Sequence, residues 1–87
     1  MAIIKKKLIV RSKQGLHARP AALFVQIANK FDSKVTVSKG KEEINGKSIM
    51  GILMLAAEKG NEILLTVEGD DAHQAIRELE ELVGKDE

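Results

Sequence analysis

Cysteine is absent from this 87-residue chain, and with it go disulfides, thiol catalysis and thiolate metal sites. Tryptophan and tyrosine are missing too, and the two aromatic residues are Phe24 and Phe31. That scarcity argues against recognition of nucleic acid by aromatic stacking on its bases. Long hydrophobic runs are also lacking. The longest uncharged stretches, Pro20–Asn29 and Ser48–Ala57, are ten residues each, too short to span a bilayer. The opening MAIIKKKLIV puts its lysines after two isoleucines and continues into three apolar residues, unlike a secretory signal. A chain of this length holds one modest core. These absences predict a single domain over residues 1–87, cytoplasmic, with no membrane insertion and no bound cofactor or metal.

Charge is present in quantity but unevenly placed. The net charge is +1, yet residues 1–47 hold eleven Lys and Arg against three Asp and Glu. Residues 48–87 hold three against ten. A split of +8 against −7 fits a basic face for an anionic partner, or lysines gathered at one end of a mixed surface.

Hydrophobic periodicity outlines seven elements. Ile3–Arg11 reads as a strand with Ile4, Lys6, Leu8 and Val10 on one face, Lys6 breaking the pattern. Residues 18–30 carry Ala18, Ala21, Ala22, Val25 and Ala28 at helical spacing. Pro20 fits only the first turn of that helix, so the helix starts near His17 or Ala18. Lys34–Ser38 and Glu42–Asn45 read as strands joined by a turn at Gly40-Lys41. Ser48 is a natural N-cap for the run IMGILMLAA, which Gly60 closes. Glu62–Glu68 alternates as a further strand. After a turn and cap at Gly69-Asp70-Asp71, the stripe Ala72, Ala75, Ile76, Leu79, Leu82 and Val83 makes a last helix ending at Gly84. The order β-α-β-β-α-β-α predicts an α+β open-faced sandwich, with helices on one sheet face and solvent on the other.

Two segments carry candidate chemistry. Gly46-Lys47-Ser48 matches the end of a P-loop, but the opening glycine would fall at position 41, which is lysine, and no strand suited to the metal-binding partner motif follows. The segment Gly15-Leu16-His17-Ala18-Arg19-Pro20-Ala21 puts a histidine at a helix start, where unpaired N–H groups and a positive dipole favour an anion. Arg19 adds a permanent charge and a donor fork suited to phosphate oxygens. A neutral imidazole is a usable nucleophile. With no second acid–base group nearby, the pattern suits a reversible phosphoryl acceptor better than a hydrolase. The plainer role for His17 is a cap. His73 has no such setting and reads as a surface residue.

GLHARPA followed by NGKSIMG resembles the HPr family, the histidine-containing phosphocarriers of the bacterial phosphoenolpyruvate-dependent sugar phosphotransferase system. The likeness covers nearly the whole chain. It implies a four-stranded antiparallel sheet of order 1-4-2-3 under three helices. It also implies phosphorylation of His17 at Nδ1, with Arg19 neutralising the phosphate and Ala18 contributing a backbone amide. Ser48 matches the serine phosphorylated by an HPr kinase/phosphorylase. Ile49, Met50 and Leu53, with Lys47 beside them, match the surface that docks partners. Those partners are Enzyme I and the A component of sugar-specific Enzyme II, joined by a catabolite-control transcription factor where Ser48 is phosphorylated. The resemblance implies a monomer that is a substrate of both enzymes rather than an enzyme itself. Within the family a nitrogen-type or mainly regulatory protein is the alternative. Outside it the alternative is a small basic nucleic-acid-binding module, which the acidic half and the missing aromatics oppose.

Overall fold

Alternation along four strands builds the sheet. The computed structural model describes residues 1–85. Strands β1 (Ala2–Ile9), β2 (Lys34–Lys39), β3 (Glu42–Asn45) and β4 (Glu62–Gly69) lie in the order β1-β4-β2-β3, every pair antiparallel. This is the order the resemblance implied. The register sets Leu8 opposite Ile63, Val35 opposite Val67, and Val37 between Leu65 and Ile44. Because side chains alternate with period two, Leu8, Val35, Val37, Ile63, Leu65 and Val67 all enter one face and are buried. The opposite face carries part-exposed Thr36, Ser38, Leu64 and Thr66.

Helices α1 (Ala18–Ala28), α2 (Ile49–Leu55) and α3 (Ala72–Val83) cover the apolar face. Ala21, Phe24 and Ala28 of α1, Ile52 and Leu55 of α2, and Ala72, Ala75, Ile76, Leu79 and Val83 of α3 complete the core. Each buried Val, Leu, Ile or Phe contributes about 1.5–3 kcal/mol relative to exposure.

Three local readings change. Ala18 is exposed, so the inward stripe of α1 starts at Ala21, and the helix ends at Ala28 rather than residue 30. Helix α2 stops before Ala57 because Ala56 turns left-handed, at φ +52, which breaks the i to i−4 ladder. Gly60 instead serves the following turn, at φ +91. Lys6, the residue out of pattern in β1, reaches from the covered side of the sheet to Glu80 of α3 at 2.7 Å. Half exposed, this pair is worth under about 1 kcal/mol.

Asp71 stands at the N-cap of α3 but makes no capping bond. Its carboxylate accepts from the Asp32 N–H at 2.9 Å, the Ser33 N–H at 3.1 Å and the Ser33 hydroxyl. Ser33 is buried. The Ser33 hydroxyl, then the Asp32 N–H, hold the Asp71 carboxyl below the usual carboxylate range. Gly69 precedes this turn at φ +154, where a Cβ would lie 2.7 Å from Ser33 Cα. The α1–β2 connection is thus fastened to the start of α3.

Candidate functional site

The connection from β1 to α1 is shaped by one glycine. Gly15 takes φ +70, which favours glycine, and its N–H closes a turn onto the Ser12 carbonyl at 3.0 Å. A Cβ at this position would collide with the Ala57 carbonyl oxygen and sit 2.8 Å from Glu58 Cα. The next N–H, of buried Leu16, donates to that same Ala57 carbonyl at 2.8 Å. The loop ahead of α1 is therefore clamped to the loop behind α2, and His17 follows directly.

His17 is the N-cap of α1 in extended conformation, φ −79 and ψ −170, and its carbonyl accepts from the Ala21 N–H at 2.8 Å. The ring makes no capping bond and is exposed. The plainer role of a side-chain cap is therefore not the one it plays here. Pro20 occupies the first turn, as its missing N–H requires. The N–H groups of Ala18 and Arg19 precede the first intrahelical bond, at the positive end of the helix dipole. His17 lines a hollow of about 120 Å³ with Leu16, Leu53, Ala56, Ala57 and Glu58.

Arg19 is exposed and faces a neighbouring groove, lined also by Lys13, Pro20, Leu23, Leu82 and Lys85. Among the described residues neither His17 nor Arg19 is in an ion pair. The sequence reading placed Arg19 here but missed Lys13 and Lys85. These are brought alongside by the packing of α1 on the end of α3, which no local motif records. Chemically, this end of the molecule offers an accessible imidazole, free backbone donors and uncommitted cations.

Ser48 caps α2, its Oγ accepting from the Gly51 N–H at 3.1 Å, as the sequence predicts. Lys47 does more than carry charge. Its Nζ donates to the Phe31 carbonyl at 2.7 Å and its own carbonyl accepts from Asn29 Nδ2 at 3.4 Å, tying the end of α1 to the start of α2. Gly46 is buried against Val35 and donates to its carbonyl at 2.8 Å. The P-loop-like triplet is thus a packed β3–α2 connection. Ser48 does not line the His17 hollow, and Ile49–Ile52 lie between it and Leu53, the first α2 residue that does, a rise of roughly 7.5 Å at 1.5 Å per residue.

Between those ends lies an exposed apolar strip. Ile49 is 41% exposed, Met50 62% and Leu53 37%, while Ile52 and Leu55 are buried. Met54, 70% exposed, belongs to the strip and was not singled out by the sequence reading, because a helix apolar on every side hides which residues face out. His73 is exposed. Among the described residues no cluster of three or more metal-ligating side chains occurs, and no helix is long and apolar enough to cross a membrane.

Comparison with known proteins agrees with this geometry along the chain. The family model for the PTS HPr component phosphorylation site matches residues 4–85. The HPr-like protein Crh of Bacillus subtilis is 47% identical over 77 residues, covering 88% of this chain and 91% of that protein. Phosphocarrier protein HPr of Xylella fastidiosa is 45% identical over 80 residues, covering 92% and 90%. The crystal structure of HPr from Bacillus anthracis matches with a TM-score of 0.91 at 46% identity, covering 95% of this chain and 99% of that one. A fold derived strand by strand, a match from the first strand to beyond the last helix and relatives matched over nine-tenths or more of their own length lead to one assignment: the chain belongs to the HPr family, phosphocarrier proteins of the phosphotransferase system rather than enzymes.

Proposed function

We propose that His17 accepts a phosphoryl group from Enzyme I charged by phosphoenolpyruvate and passes it to the A component of a sugar-specific Enzyme II, for sugar uptake. The observation that carries this reading is an exposed imidazole at a helix start with no structural bond of its own. Phosphoryl transfer needs positioning and charge stabilisation more than covalent help from the protein. The amides of Ala18 and Arg19 supply fixed donors for equatorial oxygens, and the Arg19 guanidinium supplies charge within reach of the same helix end. Docking falls to Ile49, Met50 and Leu53, with Met54 extending the strip. Exposed methionines suit a surface that must fit several proteins, and Arg19 and Lys47 lend it positive steering. The protein acts as a monomer between its two partners.

Ser48 supports a second layer, phosphorylation by an HPr kinase/phosphorylase and reading by a catabolite-control transcription factor. Its cap position places a phosphate at the positive end of α2, where the fold tolerates it, beside the apolar strip that partners must cover. The likeness to Crh, the Bacillus subtilis catabolite repression HPr, favours such regulation, while His17 favours carriage. Incubation with phosphoenolpyruvate and Enzyme I tests the reading: one acid-labile phosphate is expected on the intact protein and none on His17→Ala. Labelling of that variant equal to wild type overturns the assignment.

A further inference from the structure

The hollow beside His17 is lined, among the described residues, by one ionisable residue besides the histidine, Glu58. Its other walls, Leu16, Leu53, Ala56 and Ala57, carry no charge. Backbone bonds hold Glu58 in place. Its N–H donates to Asn61 Oδ1 at 2.7 Å, its carbonyl accepts from the Asn61 N–H at 2.9 Å, and its Cα abuts Gly15. The neighbouring Ala57 carbonyl receives the Leu16 N–H, so the chain positions of Glu58 and His17 are fixed to each other through one clamp. The Glu58 side chain is exposed and has no hydrogen bond among the described residues, so nothing in the fold accounts for a carboxylate there.

We propose that Glu58 is a positioning residue for phosphoryl transfer, its carboxylate accepting the N–H of the His17 ring nitrogen that does not bond phosphorus. The inference rests on His17 being the acceptor. An imidazole has one lone pair and one N–H when neutral, and whichever nitrogen finds an acceptor carries the proton. A carboxylate on the α2 side of the ring thus turns the lone pair toward the incoming phosphoryl group, as the acid of a catalytic triad orients its histidine. In the acceptance step that lone pair forms the N–P bond while the bond from phosphorus to the donor breaks, its electrons leaving with the donor. On hand-off the N–P electrons return to the ring nitrogen. The proton stays on the other nitrogen throughout, so the departing ring is neutral imidazole and not an anion. A nearby carboxylate favours that protonated ring. A bond loose in the free protein and formed when a donor covers the hollow is the usual behaviour of such groups.

The test uses the full chain with Glu58→Ala, Glu58→Gln and Glu58→Asp. The turn is held by Glu58 backbone atoms and Asn61, so all three should melt as wild type does. Transfer from Enzyme I is measured across carrier concentration and pH. Glu58→Ala should lower kcat about tenfold, below the 10²–10⁴ of a direct acid–base participant, with KM changed less than about twofold. Its phosphorylated form should also lose the ring proton at lower pH, moving the pH profile of hand-off acidward. Among the described residues the charges of the adjacent groove, Lys13, Arg19 and Lys85, are unchanged across the series. Glu58→Asp should recover most of the rate, and Glu58→Gln, which keeps an acceptor but no charge, an intermediate part. Equal kcat and equal pH profiles for wild type and Glu58→Ala overturn the inference, as does a change confined to KM. If wild type itself takes up no acid-labile phosphate, it is the reading of His17 that fails.

Discussion

The amino ends of α1 and α3 start alike and are used in opposite ways. Each helix has a polar N-cap residue whose side chain makes no capping bond. At α3 the Asp71 carboxylate turns to the α1–β2 loop and takes three donors from Asp32 and Ser33. At α1 the His17 ring takes none and stays exposed. Both ends need a glycine whose missing Cβ lets two segments touch, Gly69 against Ser33 and Gly15 against Ala57. A helix start therefore makes a fastening at one end and leaves an exposed imidazole uncommitted at the other. A polar side chain committed to neighbours stabilises; one held in position by its backbone alone remains available for chemistry.

Exchanging the two roles gives the largest expected effects. His17→Ala should lose all acid-labile labelling by Enzyme I and melt within about 2 °C of wild type, since the exposed ring makes no capping bond. Asp71→Ala should keep labelling in the folded fraction and lower Tm clearly, because the N–H groups of Asp32 and Ser33 and the buried hydroxyl of Ser33 lose their acceptor. Calorimetry beside the labelling assay decides both. If Asp71→Ala proves as stable as wild type, the contrast between the two ends is wrong.

Gly15→Ala should affect both properties together. A left-handed backbone costs an L-residue about 1–2 kcal/mol, and the added methyl meets the Ala57 carbonyl and the Glu58 backbone, neither of which is a flexible tip. A loss of about 2–4 kcal/mol is expected, larger than the strain alone. The surviving folded protein should accept phosphate more slowly, because the clamp that sets His17 has shifted. Denaturant unfolding and single-turnover labelling separate the two losses.

How much of this was legible beforehand follows from the range of each signal. Period-two alternation in Ile63, Leu65 and Val67 and the stripe from Ala72 to Val83 are local, and both elements fell where the sequence put them. The cap at Ser48 was legible because hydroxyl and amide lie three residues apart. The left-handed Ala56 was not, since glycine is the usual signal for that conformation. The true task of Asp71 was hidden because its partners lie some forty residues away. Glu58 escaped for the same reason: only the pairing of Leu16 with Ala57 brings it to His17. Strand order came from the resemblance, because alternation alone does not say which strands are neighbours.

The apolar strip gives a third, smaller contrast, between α2 residues that face inward and outward. Met50→Glu should weaken Enzyme I binding about tenfold, equivalent to about 1.4 kcal/mol, and leave Tm nearly unchanged because Met50 is 62% exposed. Calorimetric titration measures the first and a thermal melt the second. A large stability loss with unchanged affinity of the folded fraction makes Met50 core instead.

Removing the cap at Ser48 should cost about 1 kcal/mol in Ser48→Ala, the usual value for a lost N-cap hydroxyl. Phosphorylated Ser48 should melt no lower than wild type, since a dianion at a helix start is favourable. Its effect falls on docking, because a partner covering Ile49 and Met50 must desolvate the phosphate and bring its own charges beside it. Ser48 opens α2 and does not line the hollow, so the transfer rate at saturating Enzyme I should match that of unphosphorylated protein. A deficit unrelieved at saturation means the modification alters the His17 end itself.

The smallest effect lies at acid pH and returns to the two helix ends. The Ser33 hydroxyl and the Asp32 N–H lower the Asp71 carboxyl relative to its value in the unfolded chain. A carboxyl with a depressed folded value binds its proton more readily when unfolded, so the unfolded state holds more protons in that range and stability rises with pH. The contribution is fully present above the ordinary carboxylate value of 3.8 and disappears as pH falls through the lower folded value. Solvent reaches this carboxylate, and screening keeps the effect modest. Asp71→Asn removes the titration. Compared with wild type, its stability should be lower at neutral pH, and the gap should close as pH drops below about 4. Urea unfolding at steps between pH 7 and pH 2.5 measures that gap directly. A difference constant across the whole range means that the bonds to Ser33 and Asp32 stabilise without favouring the charged form.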